Sequence, residues 1–228
     1  FLQTTCLMLG TGALFTLIGY NANDRTAGRR EGMLIVSFTW IFFSLFGMLP
    51  FYLSGYIDNV TDAFFETMSG FTTTGSTVLK DIEALPHGLL FWRSLTQWEG
   101  GLGIIVFTVA ILPMIGGGVI QMFNAEMPGI THERFLPRVT QVAKRLCGVY
   151  LFLTIVLVGL LWVGPMNLFD AVNHALTCIA TGGYSTKNAS IAHWNSPYIE
   201  YVLTFFMFVG ATNITLIYFC LNGKPLKL

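Results

Sequence analysis

Asn59–Val78 reads NVTDAFFETMSGFTTTGSTV, and Asn167–Thr186 reads NLFDAVNHALTCIATGGYST. Each stretch is apolar enough to leave water. Neither is long or uninterrupted enough to cross a bilayer, since a spanning helix needs about 20 apolar residues and shorter runs read as re-entrant. The two align without a gap at an offset of 108 (167 − 59), which places Asn59 on Asn167, Asp62 on Asp170, Ala63 on Ala171, Thr73 on Thr181 and Gly75 on Gly183. Asn followed three residues later by Asp marks a helix start, with an acceptor for the first free N–H groups and then a carboxylate in the positive first turn. Apolar helix follows for about three turns. A Thr/Gly-rich, non-helical stretch then falls in the middle of an apolar region.

Backbone that leaves helical geometry at membrane depth survives only where protein buries it or water touches it. Gly75, Gly182 and Gly183 allow positive φ, so successive carbonyls can point the same way. A row of carbonyls replaces a cation's hydration shell, which is how potassium filters work. If the preceding helix enters from outside, its negative end points at the pore centre and favours a cation. The carbonyls of Thr73, Thr74, Thr181 and Gly182 are the foremost candidates to bind K⁺, the only metal ion expected, and Thr72, Gly75, Ala180 and Gly183 flank them. Asp62 and Asp170 read either as outer cation attractors or as helix-start stabilisers worth about 0.3–1 kcal/mol each. Glu66 lies one turn beyond Asp62. Glu99, beside Gly100, Gly101 and Gly103, could tune the field near the filter or simply sit wet at the outer interface. The glycines allow close packing between that helix and the first short helix.

Outward from these loops, charge is sparse. Of 228 residues 54% are hydrophobic and 11% charged, against about 25% charged in a soluble domain. Uncharged stretches at Phe1–Asn23, Gly32–Ile57, Gly100–Ala125, Leu146–Phe169 and Tyr201–Gly223 are each long enough to span. The fold class expected is an all-α membrane protein with five transmembrane helices and two re-entrant loops, each a pore helix followed by a filter strand. Nine basic residues (Arg25, Arg29, Arg30, Arg134, Arg138, Lys144, Arg145, Lys224, Lys227) fall on one side, and Lys80, Arg93 and Lys187 on the other. The positive-inside rule puts the nine in the cytoplasm, so the chain starts outside. That start, at a residue other than Met, suggests a longer polypeptide.

The unit of span, re-entrant loop and span repeats. Residues 1–31 hold a first helix and a cytoplasmic loop, 32–125 the first pore repeat, 126–139 a cytoplasmic loop, and 140–228 the second pore repeat. Zero net charge removes any general attraction to nucleic acid, and lipid is the expected surrounding. Cys6, Cys147, Cys178 and Cys220 lack metal or disulfide spacing and read as buried thiols. The sequons at Asn59 and Asn188 lie on the outer side. His87, His132, His174 and His193 are too dispersed for a metal site, and His174 reads as a satisfied buried imidazole. Trp92, Trp98, Trp162 and Trp194 read as interfacial belt residues. No span carries His and no Ser lies in a nucleophile's context, so no catalytic residue and no cofactor are expected. The competing readings are an intramembrane hydrolase and a non-conducting assembly subunit with pore-like loops. Intact glycines at Gly75 and Gly183 disfavour the second.

The strings GFTTTGSTV (Gly70–Val78) and ATGGYST (Ala180–Thr186), with FWRSLTQWEGGLGIIVF (Phe91–Phe107), RREG (Arg29–Gly32) and SLFGMLPF (Ser44–Phe51), resemble the TrkH-type membrane subunit of the Trk/Ktr/HKT superfamily of potassium transporters. The resemblance covers nearly the whole chain. It implies K⁺ uptake across a plasma membrane, the bacterial cytoplasmic membrane by family, through four non-identical repeats in one multi-pass polypeptide. This chain would match the first half, with Phe1–Tyr20 the second helix of an N-terminal pair. It also implies a homodimer of membrane subunits on a cytosolic nucleotide-binding regulatory subunit. In plant and fungal branches Ser at the first filter glycine accompanies Na⁺ transport, so Gly75 favours K⁺.

Overall fold

The structure is a computed structural model that describes residues 2–19, 29–115, 135–212 and 217, and among the described residues there are helices and no strand. The helices are α1 (Leu2–Gly19), α2 (Arg29–Gly47), α3 (Leu49–Leu53), α4 (Val60–Phe71), α5 (His87–Ile115), α6 (Phe135–Val163), α7 (Leu168–Ile179) and α8 (Pro197–Ala211), with a 3₁₀ turn at Ser190–Trp194. They fall into two compact units, Phe1–Met68 and Ser69–Leu228, divided inside α4. Two helical stretches among the described residues, Val36–Leu53 and Ala143–Val163, are long and apolar enough to cross a membrane. Two shorter apolar ones are Gln3–Gly19 and Pro197–Ala211. The expected spans at Gly100–Ala125 and Tyr201–Gly223 run partly outside the described residues, as does the expected loop 126–139 up to residue 134.

Within the first unit, α1 and α2 meet edge to face through Phe15 and Phe42, whose ring centroids are 5.9 Å apart. Many of their other large side chains, including Leu9, Leu17, Ile18, Leu34 and Phe43, are exposed. A helix that is apolar all round belongs in a large core or in lipid. Pro50 sits in the first turn of α3, where its missing N–H costs no hydrogen bond.

The second unit is built around α7. Leu153, Leu157 and Leu161 recur every four residues on α6 and face Ala171, Ala175 and Ile179 of α7 and Ile199, Leu203 and Phe206 of α8 in one buried cluster. Small residues at Ala171 and Ala175, both fully buried, let the helices approach closely. Ile155, Trp162 and Val163 on α6 and Tyr201, Phe205 and Phe208 on α8 are exposed. α7 is the opposite case: nine of its twelve residues are buried, three of them Asp170, Asn173 and His174. It is enclosed by protein, as a polar short helix in an apolar setting must be.

Two boundaries differ from the sequence reading. α5 begins at His87, well before the uncharged stretch opens at Gly100, so Arg93 lies inside a helix and is 2% exposed. Its charge is compatible with burial because the guanidinium finds a carbonyl and an aromatic face, described below. Helix α6 likewise begins at Phe135, ahead of the uncharged stretch at Leu146. Trp98 also differs from a belt residue: it is half-buried, its indole N–H donates to Thr154 Oγ1 at 3.1 Å, and it packs on Tyr150.

Candidate functional site

Both short helices start as their sequences require. The Asn167 side chain accepts from the Asp170 N–H at 2.8 Å and donates to Asp170 Oδ2 at 2.9 Å. The Asn59 side chain accepts from the Thr61 N–H at 3.0 Å. A cap of this kind is worth about 1 kcal/mol. In both, the Asn carbonyl takes the first helical bond at 2.9 Å, from Ala63 in one and Ala171 in the other.

The helices also end alike. The Thr73 N–H bonds to the Gly70 carbonyl at 2.9 Å, and the Thr181 N–H to that of Cys178 at 2.9 Å. The Thr74 N–H bonds to the Ser69 carbonyl, and the Gly182 N–H to that of Thr177, each at 2.9 Å. Thr73 (φ 55°) and Thr181 (φ 56°) are left-handed, and so are Gly75 (φ 78°) and Gly183 (φ 79°). Every one of these pairs sits at the offset of 108. A left-handed Thr costs about 1–2 kcal/mol, so finding one at the same place in both loops marks an imposed geometry.

The bonds also fix where the carbonyls go. All peptides among the described residues are trans, and the N–H and C=O of a trans peptide point opposite ways. With the N–H groups of Thr73, Thr74 and Gly75 drawn back to the end of α4, the carbonyls of Thr72, Thr73 and Thr74 face away from it. The N–H groups of Thr181 and Gly182 turn the carbonyls of Ala180 and Thr181 away from α7 in the same manner. Thr72, Thr74, Thr181 and Gly183 are exposed, Thr73 and Gly75 are half-buried, and Ala180 and Gly182 are buried.

The loops touch. A Cβ on Gly75 would strike the Gly182 carbonyl, and one on Gly182 would strike the carboxamide of Gln97 on α5. Gly100 packs so closely on the Phe71 carbonyl that it admits no side chain, and Gly101 abuts Tyr150 and Ala180. Gly100 thus packs on the end of the first short helix as expected, whereas Gly101 packs on α6 and on the residue after α7.

A polar shell holds the second loop. Tyr184 donates its N–H to Gln97 Oε1 at 3.2 Å and its hydroxyl to the Ser76 carbonyl of the first loop at 3.2 Å. Arg93 lies over the Tyr184 ring, 3.5 Å from its centroid, and donates to the Ser185 carbonyl at 3.0 Å. The His174 Nδ1 faces the Asp170 carbonyl at 2.8 Å and so carries the proton, while Nε2 meets Ser185 Oγ at 3.0 Å. The buried imidazole is satisfied.

Asp170 is 4% exposed, and its second oxygen accepts from Thr186 Oγ1 at 2.6 Å, so it ties the start of α7 to the end of the loop. Asp62 is half-buried, and Glu99 is exposed on α5. Asn188 receives the N–H of Ile82 at 2.7 Å and donates to Asp81 at 2.8 Å, so a glycan there would break the tie between these two segments. Arg93, Gln97 and Tyr184 were not among the residues singled out from sequence. A signal existed: Arg93 and Gln97 are four apart and share a face once the helix is known to start at His87.

The two loops thus share one backbone geometry, with main-chain carbonyls turned away from the helices that precede them. The TrkH family model, described as a cation transport protein, matches residues 4–227. The chain belongs to the TrkH family of cation transport proteins, a family of transporters and not of enzymes. It is 40% identical over its whole length to the Trk system potassium uptake protein TrkH of Escherichia coli strain K12, covering 47% of that protein. It is 38% identical over 95% of its length to the TrkH protein of Halomonas elongata, covering 45% of it. The crystal structure of the potassium transporter TrkH from Vibrio parahaemolyticus matches with a TM-score of 0.83 and 36% identity, over 99% of this chain and 46% of that one. The chain spans about half the length of these relatives.

Proposed function

We propose that this chain supplies two of the strands that line a K⁺-selective pore in a membrane protein of K⁺ uptake. The observation that carries the reading is the paired loop geometry: left-handed Thr73 and Thr181, left-handed Gly75 and Gly183, and carbonyls turned away from the helices at matching positions. Each carbonyl presents an oxygen where a dehydrating K⁺ needs one. The ends of α4 and α7 direct their negative dipoles toward the same loops. Ion contacts belong to the carbonyls of Thr72, Thr73, Thr74, Ala180, Thr181 and Gly183, with Gly75 and Gly182 shaping the strands. Asp170, consumed by Thr186 and Asn167, stabilises the site and does not bind the ion, and Glu99 and Asp62 act at most through their fields. No cofactor takes part.

In this reading five spans cross the membrane, both pore loops enter from the outer face, and the nine cytoplasmic cations fix the orientation. We also propose, from the resemblance carried by the sequence, that the membrane subunit pairs with a second copy and with a cytosolic nucleotide-binding partner. A structure of a four-repeat transporter containing this chain, soaked in Rb⁺ or Tl⁺, is expected to show ion density between the two loops. Density that avoids the carbonyls of Thr73 and Thr181 would sink the filter assignment. A second measurement tests the topology. Cysteines at Lys80 and Lys187, exposed and half-buried in the structure, are both expected to react with an impermeant reagent from outside. Labelling from opposite sides would rule out parallel repeats.

A further inference from the structure

Gln97 is fully buried on α5, and its two amide atoms are treated differently. Oε1 accepts the Tyr184 N–H at 3.2 Å. Nε2 is buried with no hydrogen-bond partner among the described residues, and a buried amide donor is costly to leave open. A flipped carboxamide would not help, because it would set one donor against another. The Cβ position on Gly182 collides with the Gln97 carboxamide, and the Cβ position on Gly75 lies 3.7 Å from Nε2. The carboxamide therefore stands where the two loops meet.

One peptide of the second loop depends on it. The Thr181 and Gly182 N–H groups are held by the end of α7, but that of Tyr184 is held by Gln97. Because the peptide is trans, drawing the Tyr184 N–H toward α5 sends the Gly183 carbonyl the other way, off the left-handed Gly183. Four residues earlier on the same helix, Arg93 takes the Ser185 carbonyl and covers the Tyr184 ring, and the Tyr184 hydroxyl reaches Ser76 in the first loop.

We infer that Gln97 is a selectivity-positioning residue: its side-chain oxygen aims the Gly183 carbonyl, and its bulk sets the distance between the loops at Gly75 and Gly182. The inference rests on the filter reading above. Without the acceptor, the Tyr184 N–H loses the bond that draws it toward α5 and the peptide gains reason to turn over, which removes an ion ligand from one strand and widens what the ring accepts. Gln97→Leu in a four-repeat transporter containing this chain is expected to lower the K⁺ to Na⁺ flux ratio about tenfold, on the scale of one unmade buried hydrogen bond. Gln97→Met, whose flexible side chain fills the same slot without a strong acceptor, is expected to do the same and stands in should the leucine variant not assemble. Gln97→Glu keeps an acceptor oxygen for the Tyr184 N–H and replaces the unpartnered NH₂ by the O–H of a carboxyl that burial holds neutral, so its ratio is expected to recover to within about threefold of the parent. An unchanged ratio in the apolar variants, or a glutamate variant as unselective as leucine, overturns the role. Gly75→Ser in the same preparation separates the two ideas. If it shifts the ratio while Gln97→Leu does not, only the role of Gln97 fails; if neither shifts it, the filter reading fails with it.

Discussion

Gly75→Ser is expected to lower the K⁺ to Na⁺ flux ratio of the intact transporter by about tenfold or more, the largest effect of any single change in these loops, because the filter discriminates by the placing of its oxygens. Two costs coincide at this position. Gly75 has φ 78°, where a residue with a side chain loses about 1–2 kcal/mol. Its Cβ would also run into the Gly182 carbonyl of the other loop, so the clash is with backbone and no side-chain rotation relieves it. One strand must move, and the oxygens move with it. Gly183 separates the two costs. It has the same backbone conformation at φ 79°, yet nothing lies within 4 Å of its Cβ position. Gly183→Ser is therefore expected to shift the ratio less than Gly75→Ser. Relative flux of the two ions into proteoliposomes is the measurement. An unchanged ratio in Gly75→Ser counts against Gly75 as a filter glycine, and a larger effect at Gly183 would mean that contact between the loops does not govern selectivity.

The repeated loop was legible because its residues act locally. Asn59 and Asn167 cap, and Gly75 and Gly183 permit a turn that other residues resist, so a short motif carries its geometry with it. The left-handed Thr73 and Thr181 were not legible, since Thr has no preference for that conformation and only the surrounding bonds impose it. What held the loops in place was hidden for another reason. Arg93 reads as a charge that belongs in water, and charge counting assigned it to the outer surface. It is buried because Tyr184 and the Ser185 carbonyl, about ninety residues away in sequence, come to meet it. Periodicity within one helix cannot report a partner on another element. Asp170 was read either as an attractor for cations or as a stabiliser of the helix start. The bond from Thr186, sixteen residues on, favours the second, and that bond exists only once the loop has folded back.

Residues 1–228, purified and reconstituted alone, are expected to give no K⁺ flux above that of empty vesicles. The loops after α4 and α7 contribute two strands. A K⁺ ion that leaves water must exchange several oxygens at once, and a partial ring leaves part of its surface facing apolar groups. Thr72, Thr74, Thr181 and Gly183 are exposed, which leaves room for further strands to complete a ring. In a four-repeat pore, two further loops of the same geometry would supply the missing oxygens. Two copies of this chain, set around a common axis, are the other way to supply them. The copies would then have to bury the open faces of the loops against each other, so conduction would rise with the square of protein density in the membrane at low density. Flux that is absent at every density supports the four-repeat pore. Selective flux that follows this square dependence overturns it in favour of the paired chain, and flux linear in density would mean that two strands suffice.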